Sequence, residues 1–112
     1  MPYAHRVFRA TGWVFLLAAV SGCSLRAREH MDRGSAALEQ RDLIAALAEY
    51  KQAVALDPNN AEAHAKLGGV YREMGDLKQA AGALETSVRL DPFDFQPMFE
   101  LGQVYQLLDR VA

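Results

Sequence analysis

Two apolar patterns divide the chain. Residues 13–20, WVFLLAAV, form one uninterrupted apolar run close to the start. From Ala27 onward apolar residues instead recur at helical spacing. Leu67, Val70, Tyr71 and Met74 stand at i, i+3, i+4 and i+7, which is one face of a helix. Leu77, Ala80, Ala81, Leu84 and Val88 make a second such stripe, and Leu101, Val104, Tyr105 and Leu108 a third. Between the first two stripes Gly75 offers a left-handed residue that can end a helix. Asp76 is then an N-cap, with Gln79 three residues on completing a capping box. Asp91-Pro92 stops the second helix, because proline disfavours helical geometry in the residue before it and cannot join a helix interior. The predicted unit is therefore helix, tight turn, helix, proline break.

The unit is written more than once. LDPNN at residues 56–60 and LDPFD at residues 90–94 place Pro58 and Pro92 34 positions apart. Residues 27–60 overlie residues 61–94 without a gap, and 11 of the 34 positions are identical. These are Ala27, His30, Gly34, Glu39, Asp42, Leu43, Ala46, Val54, Leu56, Asp57 and Pro58, each recurring 34 residues later. A third copy opens at Phe95, where Leu101, Gly102, Val104 and Tyr105 repeat Leu67, Gly68, Val70 and Tyr71. A fixed period of this length marks a solenoid of stacked helical hairpins.

These repeats resemble the tetratricopeptide repeat (TPR) family. The second unit carries the motif at Leu67, Gly68, Tyr71, Ala80, Leu84 and Pro92, and the first at Gly34, Ala46, Tyr50, Ala53 and Pro58. The resemblance covers residues 27–112 and implies an all-α solenoid. Its units are residues 27–60, 61–94 and a partial third at 95–112. Arg33 and Ala37 depart from the apolar and aromatic residues of the motif, as terminal repeats often do, and Ser87 replaces a small alanine. The third unit has only its first helix, about Gln96 to Leu108. With no second helix or closing polar cap, the array is expected to be the start of a longer one.

The beginning of the chain has a different character. Arg6, Arg9 and the amino terminus precede the apolar run, and small residues follow it, so residues 1–22 have the layout of a secretory leader. The run is too short for a spanning helix, which needs about 20 apolar residues. Val20-Ser21-Gly22-Cys23 resembles the lipobox of bacterial lipoproteins. That resemblance implies cleavage after Gly22 and lipidation of Cys23, followed by a short tether at residues 23–26. Several acyl chains, at about 0.8 kcal/mol per buried CH₂, hold a protein stably on a membrane. Ser24 after the cysteine is compatible with the outer membrane. The chain as a whole carries a net charge of −2; without Arg6 and Arg9 it has 10 basic and 14 acidic residues, a net of −4. That balance gives no basic excess for nucleic acid.

No catalytic constellation stands out. His30 and His64 share one repeat position with Met98, and a column of His, His and Met fits packing better than metal ligation. Gly68-Gly69 lies within a predicted helix and is not a phosphate loop. No cofactor, metal or small-molecule substrate is expected, and the chain is not read as an enzyme, although such repeats can precede a transferase or peptidase domain in a longer protein. The TPR resemblance instead implies a concave face, lined by the first helix of each unit, that takes a protein or peptide partner. Its positions here are Arg28, Met31, Ser35 and Leu38, then Glu62, Ala65, Gly69 and Arg72, then Gln96, Phe99, Gln103 and Gln106. The lysine and asparagine clamp with which some members hold chaperone carboxylates is absent, since Ala65 and Gly69 occupy its key places. The expectation is a lipid-anchored scaffold for protein–protein interaction, facing the periplasm. It resembles the repeat lipoproteins of pilus and secretion-complex assembly.

Overall fold

A computed structural model describes residues 22–111. The predicted leader, apart from Gly22, lies outside the described residues, as does Ala112. Among the described residues there are five helices and no strand. These are α1 over residues 22–39, α2 (Leu43–Leu56), α3 (Ala61–Glu73), α4 (Leu77–Leu90) and α5 (Phe95–Val111). Residues 23–26, predicted as a tether, are helical and run straight into the first repeat. Leu25, Arg26, Ala27, Arg28 and Glu29 are all good helix formers, and no proline or glycine separates them from Cys23. The last helix also starts one residue earlier and ends three residues later than its apolar stripe suggests.

Each hairpin closes in the same way. After α3, Gly75 takes φ +81°. Its N–H bonds to Arg72 O at 3.0 Å, and the N–H of Asp76 reaches back to Tyr71 O at 2.9 Å. This double bond satisfies the last free carbonyls of the helix. Asp76 then caps α4, its Oδ1 accepting from the Gln79 N–H at 3.4 Å. The other half of the expected capping box does not form, because the Asp76 N–H already belongs to Tyr71. The α1–α2 turn repeats the geometry with Arg41 in place of glycine. Arg41 N–H bonds to Leu38 O and Asp42 N–H to Ala37 O, both at 2.9 Å, with Arg41 at φ 59°. A residue with a side chain is strained in that region.

The Leu-Asp-Pro segments lie between hairpins. Asp57 and Asp91 are the C-caps of α2 and α4, and their N–H groups bond to Ala53 O and Ser87 O at 2.9 Å. Asn60 accepts from the Ala63 N–H at 3.2 Å to start α3, and the His64 ring N–H donates to Pro58 O at 2.8 Å. The histidines are thus joined to the framework, since His30 Nδ1 also meets Glu49 Oε2 at 2.6 Å and fastens α1 to α2.

Within a hairpin, a glycine faces a large side chain. A Cβ on Gly34 would lie 2.6 Å from the Tyr50 ring, and one on Gly68 would lie 2.7 Å from Leu84 Cγ. Tyr50 and Leu84 occupy the same repeat position, and both are fully buried. Around the first gather Met31, Ala46, Ala53, Ala63, Leu67 and Val70. Around the second gather Ala80, Ala81 and Val104. Tyr71 packs against both clusters and joins them into one core. Ser87, where the motif has alanine, is buried, and its hydroxyl donates to Ala61 O at 2.8 Å, so the end of α4 is bonded across to the start of α3 within one hairpin. The third column member differs: a Cβ on Gly102 would meet nothing within 4 Å.

The α4–α5 contact adds a polar fastening, because the Tyr105 hydroxyl donates to Glu85 Oε1. Accepting that proton's bond, and lying close as a negative charge, Glu85 raises the Tyr105 pKa above its ordinary value of 10.0, with desolvation helping. A raised folded-state pKa gives stability that is present below the unfolded value and lost as pH climbs through the folded one. The contribution is therefore present below about pH 10 and is lost only as the solution becomes more alkaline than that. In a spectrophotometric titration, Glu85→Gln is expected to bring the Tyr105 tyrosinate midpoint down towards the ordinary value. An unmoved midpoint would refute the bond. In thermal melts followed by circular dichroism, Gly68→Ala is expected to cost about 1–3 kcal/mol by overpacking against Leu84. Gly102→Ala is expected to raise stability by up to about 1 kcal/mol through helix propensity alone. Arg41→Gly is expected to add about 0.5–1 kcal/mol by relieving the left-handed strain.

Candidate partner-binding trough

Alternate helices α1, α3 and α5 run in the same direction, because each is separated from the next by one antiparallel partner. Side chains from their inner faces line a trough. The α1–α3 end holds an open hollow of about 340 Å³, bordered by Ser24, Arg28, Met31, Asp32, Asn60 and Glu62, with Asp57. The next, between α3 and α5, is about 450 Å³ and is lined by Glu62, Ala65, Lys66, Asp91, Asp94, Gln96 and Glu100 among others. Glu62 borders both, so the two are continuous. Towards the other rim a third hollow of about 480 Å³ is lined by Arg72, Gln103, Gln106, Leu107 and Arg110.

Eight of the twelve positions proposed from sequence line these hollows, and Ser35, Leu38, Gly69 and Phe99 do not. Met31 is only 8% exposed and belongs to the core around Tyr50. Leu38 is half-buried and packs on the same core. Both pack inward where Arg33 is exposed and Ala37 is small, so the methionine and leucine chains supply apolar volume there. Ser35 remains exposed, but its Oγ sits 3.1 Å from the Tyr50 hydroxyl. Arg28 and Glu62 are exposed at the first hollow.

The α3–α5 seam keeps its predicted character. Ala65 and Gly69 leave room, and a Cβ on Gly69 would come no nearer than 3.8 Å to Glu100 Oε2. Arg72 Nη1 donates to Gln103 Oε1 at 3.0 Å and lies 3.8 Å from Glu100 Oε2. Gln96 Nε2 donates to Glu100 Oε1 at 3.2 Å. Glu100, absent from the predicted set, thus organises the middle of the seam. Its place one turn after Gln96 and four residues before Val104 is the signal that would have found it. Phe99 is 59% exposed, a free aromatic of the kind that anchors partners. The arrangement can hold a chain by hydrogen bonds and charge. Among the described residues no three His, Cys, Asp or Glu side chains gather as a metal site would require.

Comparison with known proteins agrees with this architecture. A family profile described as tetratricopeptide repeat matches residues 37–103. Among solved structures, the first TPR of Spaghetti (RPAP3) bound to the HSP90 peptide SRMEEVD superposes with a TM-score of 0.72 at 24% identity, over 74% of this chain and 66% of that one. The second TPR domain of human RPAP3, in complex with the HSP70 peptide SGPTIEEVD, gives 0.68 at 28% identity, over 71% and 67% of the two chains. The MamA protein gives 0.69 at 30% identity, and this chain, matched over 71% of its length, spans 44% of MamA. No curated protein matches the sequence. With more than half of its residues matched by the repeat profile and its helices paired as that repeat requires, the chain belongs to the tetratricopeptide repeat family.

Proposed function

We propose that the chain is a lipid-anchored scaffold that holds a segment of a protein partner in the α1–α3–α5 trough at a bacterial envelope. The observation that carries the partner-binding half is the trough itself. It is open and lined by guanidinium, amide and carboxylate groups, and Phe99 stands exposed on the same helix as its α5 wall. The two RPAP3 domains, which share its fold, hold short peptides. The chaperone clamp is not part of this reading, because Ala65 and Gly69 stand where its polar groups would be.

The anchoring half rests on Val20-Ser21-Gly22-Cys23 behind a basic, apolar leader. Cys23 is exposed and has no disulfide partner among the described residues, so its thiol is accessible for thioether formation. The lipid fixes the trough at the membrane surface and raises its effective concentration towards envelope partners. By resemblance alone the clients are subunits of pilus or secretion assemblies. Outer-membrane placement follows the same reading through Ser24.

Cys23→Ser in the full chain, expressed in a bacterial host and followed by membrane fractionation with metabolic fatty-acid labelling, is expected to abolish both label and membrane recovery. Unchanged labelling and fractionation would overturn the lipid anchor while leaving the trough untouched.

A further inference from the structure

We infer that the hollow between the last turns of α3 and α5 receives an acidic segment of the partner, seated by carboxylates on Arg72 and Arg110 and by an apolar side chain on Leu107. The inference rests on the reading of the α1–α3–α5 face as a partner trough, and it supplies the chemistry and direction of what lies there.

The hollow is singular in its charge. Its lining is two arginines, two glutamines and one leucine, with no carboxylate. It sits in a chain whose net charge is −2. Its neighbour along the same seam is lined by Glu62, Asp91, Asp94 and Glu100 against the single cation Lys66. A segment laid along the seam is therefore repelled at one rim if acidic and attracted at the other. Only one direction satisfies both, with its carboxylates over α3's last turn.

The cationic groups are also placed in advance. Arg72 is held on one side by Gln103 Oε1 at 3.0 Å and on the other by Glu100 Oε2 at 3.8 Å. Its side chain is 31% exposed, so its charge is less screened than that of a free surface arginine. Only one N–H contact to Gln103 is drawn from a fork that carries five donors. Arg110 stands in the last turn of α5. Both guanidiniums also offset the negative ends of their helices, and a single one would be largely spent that way. Two of them, with the side-chain amides of Gln103 and Gln106, line the hollow, while Glu100 meets Arg72 from outside that lining. Guanidinium–carboxylate pairs gain from bidentate geometry. Leu107, 39% exposed, gives the hollow an apolar floor beside the charges. This subsite lies at the opposite rim from Ala65, and its two arginines stand at other repeat positions than Ala65 and Gly69, although Gln103 shares the Gly69 position.

The test uses the full 112-residue chain and fluorescence anisotropy with fluorescein-labelled Gly-Ser-Glu-Leu-Glu-Glu. The acidic probe is expected to bind, and the same peptide with every glutamate replaced by glutamine is not. Arg72→Gln and Arg110→Gln should each weaken binding by roughly tenfold, the loss of one charge-assisted bond. Arg89→Gln, exposed on α4 and outside the trough, should leave it unchanged. Raising salt from about 50 to about 300 mM should weaken binding several-fold. Equal binding of the glutamine peptide, indifference to both arginine changes, no binding at all, or a DNA oligonucleotide binding as tightly would each overturn the inference. A Gly69→Gln variant separates the two readings, since a Cβ there comes no nearer than 3.8 Å to Glu100 Oε2. If it abolishes recovery of an identified envelope partner that both arginine variants still bind, the trough stands and the hollow does not. If none of the three changes affects that partner, the trough reading falls as well.

Discussion

The close approach of two helices inside each hairpin sets everything else. Gly34 lies under the Tyr50 ring and Gly68 under Leu84, with no space for even one more carbon. That contact brings the axes together, and Ala46, Ala53, Ala63 and Ala80 extend the same thin seam. Bulk is confined to a few positions, so each hairpin is a slab of nearly constant thickness. Slabs of constant thickness stack, and Tyr71 is the side chain that belongs to two of them at once. Dense packing of this kind tolerates little change in volume, so Gly34 and Gly68 are both required, whether the opposing residue is tyrosine or leucine.

The electrostatics of the trough follow from the stacking. Because α1, α3 and α5 point the same way, their beginnings form one rim and their ends the other. Beginnings attract capping oxygens, and Asn60 and Asp94 serve there, with Glu62 in the first turn of α3. Ends attract cations, and Arg72 and Arg110 stand in the last turns of α3 and α5. A preference that belongs to each helix separately becomes, in a parallel array, a charge gradient across a shared surface. A groove assembled this way reads the direction of a bound segment as well as its composition. Ser24 borders the acidic hollow, so on the proposed lipidation of Cys23 the anchor meets the acidic rim and the cationic hollow is carried on the far side, away from the attachment point.

The two ends of the stack are unequal. At the first hairpin, Arg33 and Ala37 leave the core short of apolar volume, and Met31 and Leu38 supply it from the inner face. At α5, Gly102 has open space beyond it and Tyr105 is half exposed beside Glu85. The middle hairpin, packed on both sides, is where the repeat motif is kept most completely.

The repeat, the helix stops and the small-against-large pairing were all legible in the residues. A period, a proline and a glycine act locally or through a fixed offset, and one chain displays them directly. Gly75 announces its left-handed turn because almost no other residue adopts that geometry freely. Arg41 does the same task and gave no sign, since its strain is tolerated only because two backbone bonds to Leu38 and Ala37 hold it. The inner-face positions came from the resemblance to the repeat family, which did not say which of them stay free. Met31 was taken by a core deficit two residues away in sequence and across a helix in space. The grouping of Arg72 with Gln103 and Arg110, and the role of Glu100 between them, depends on the register of α3 against α5. That register is decided by packing around Val104 and Leu84 rather than by any local preference. Sequence alone therefore determined the elements and their order, because those rest on short-range backbone physics. Only the tertiary structure decided which charges share a hollow, because that distance is set by side chains 30 or more residues apart.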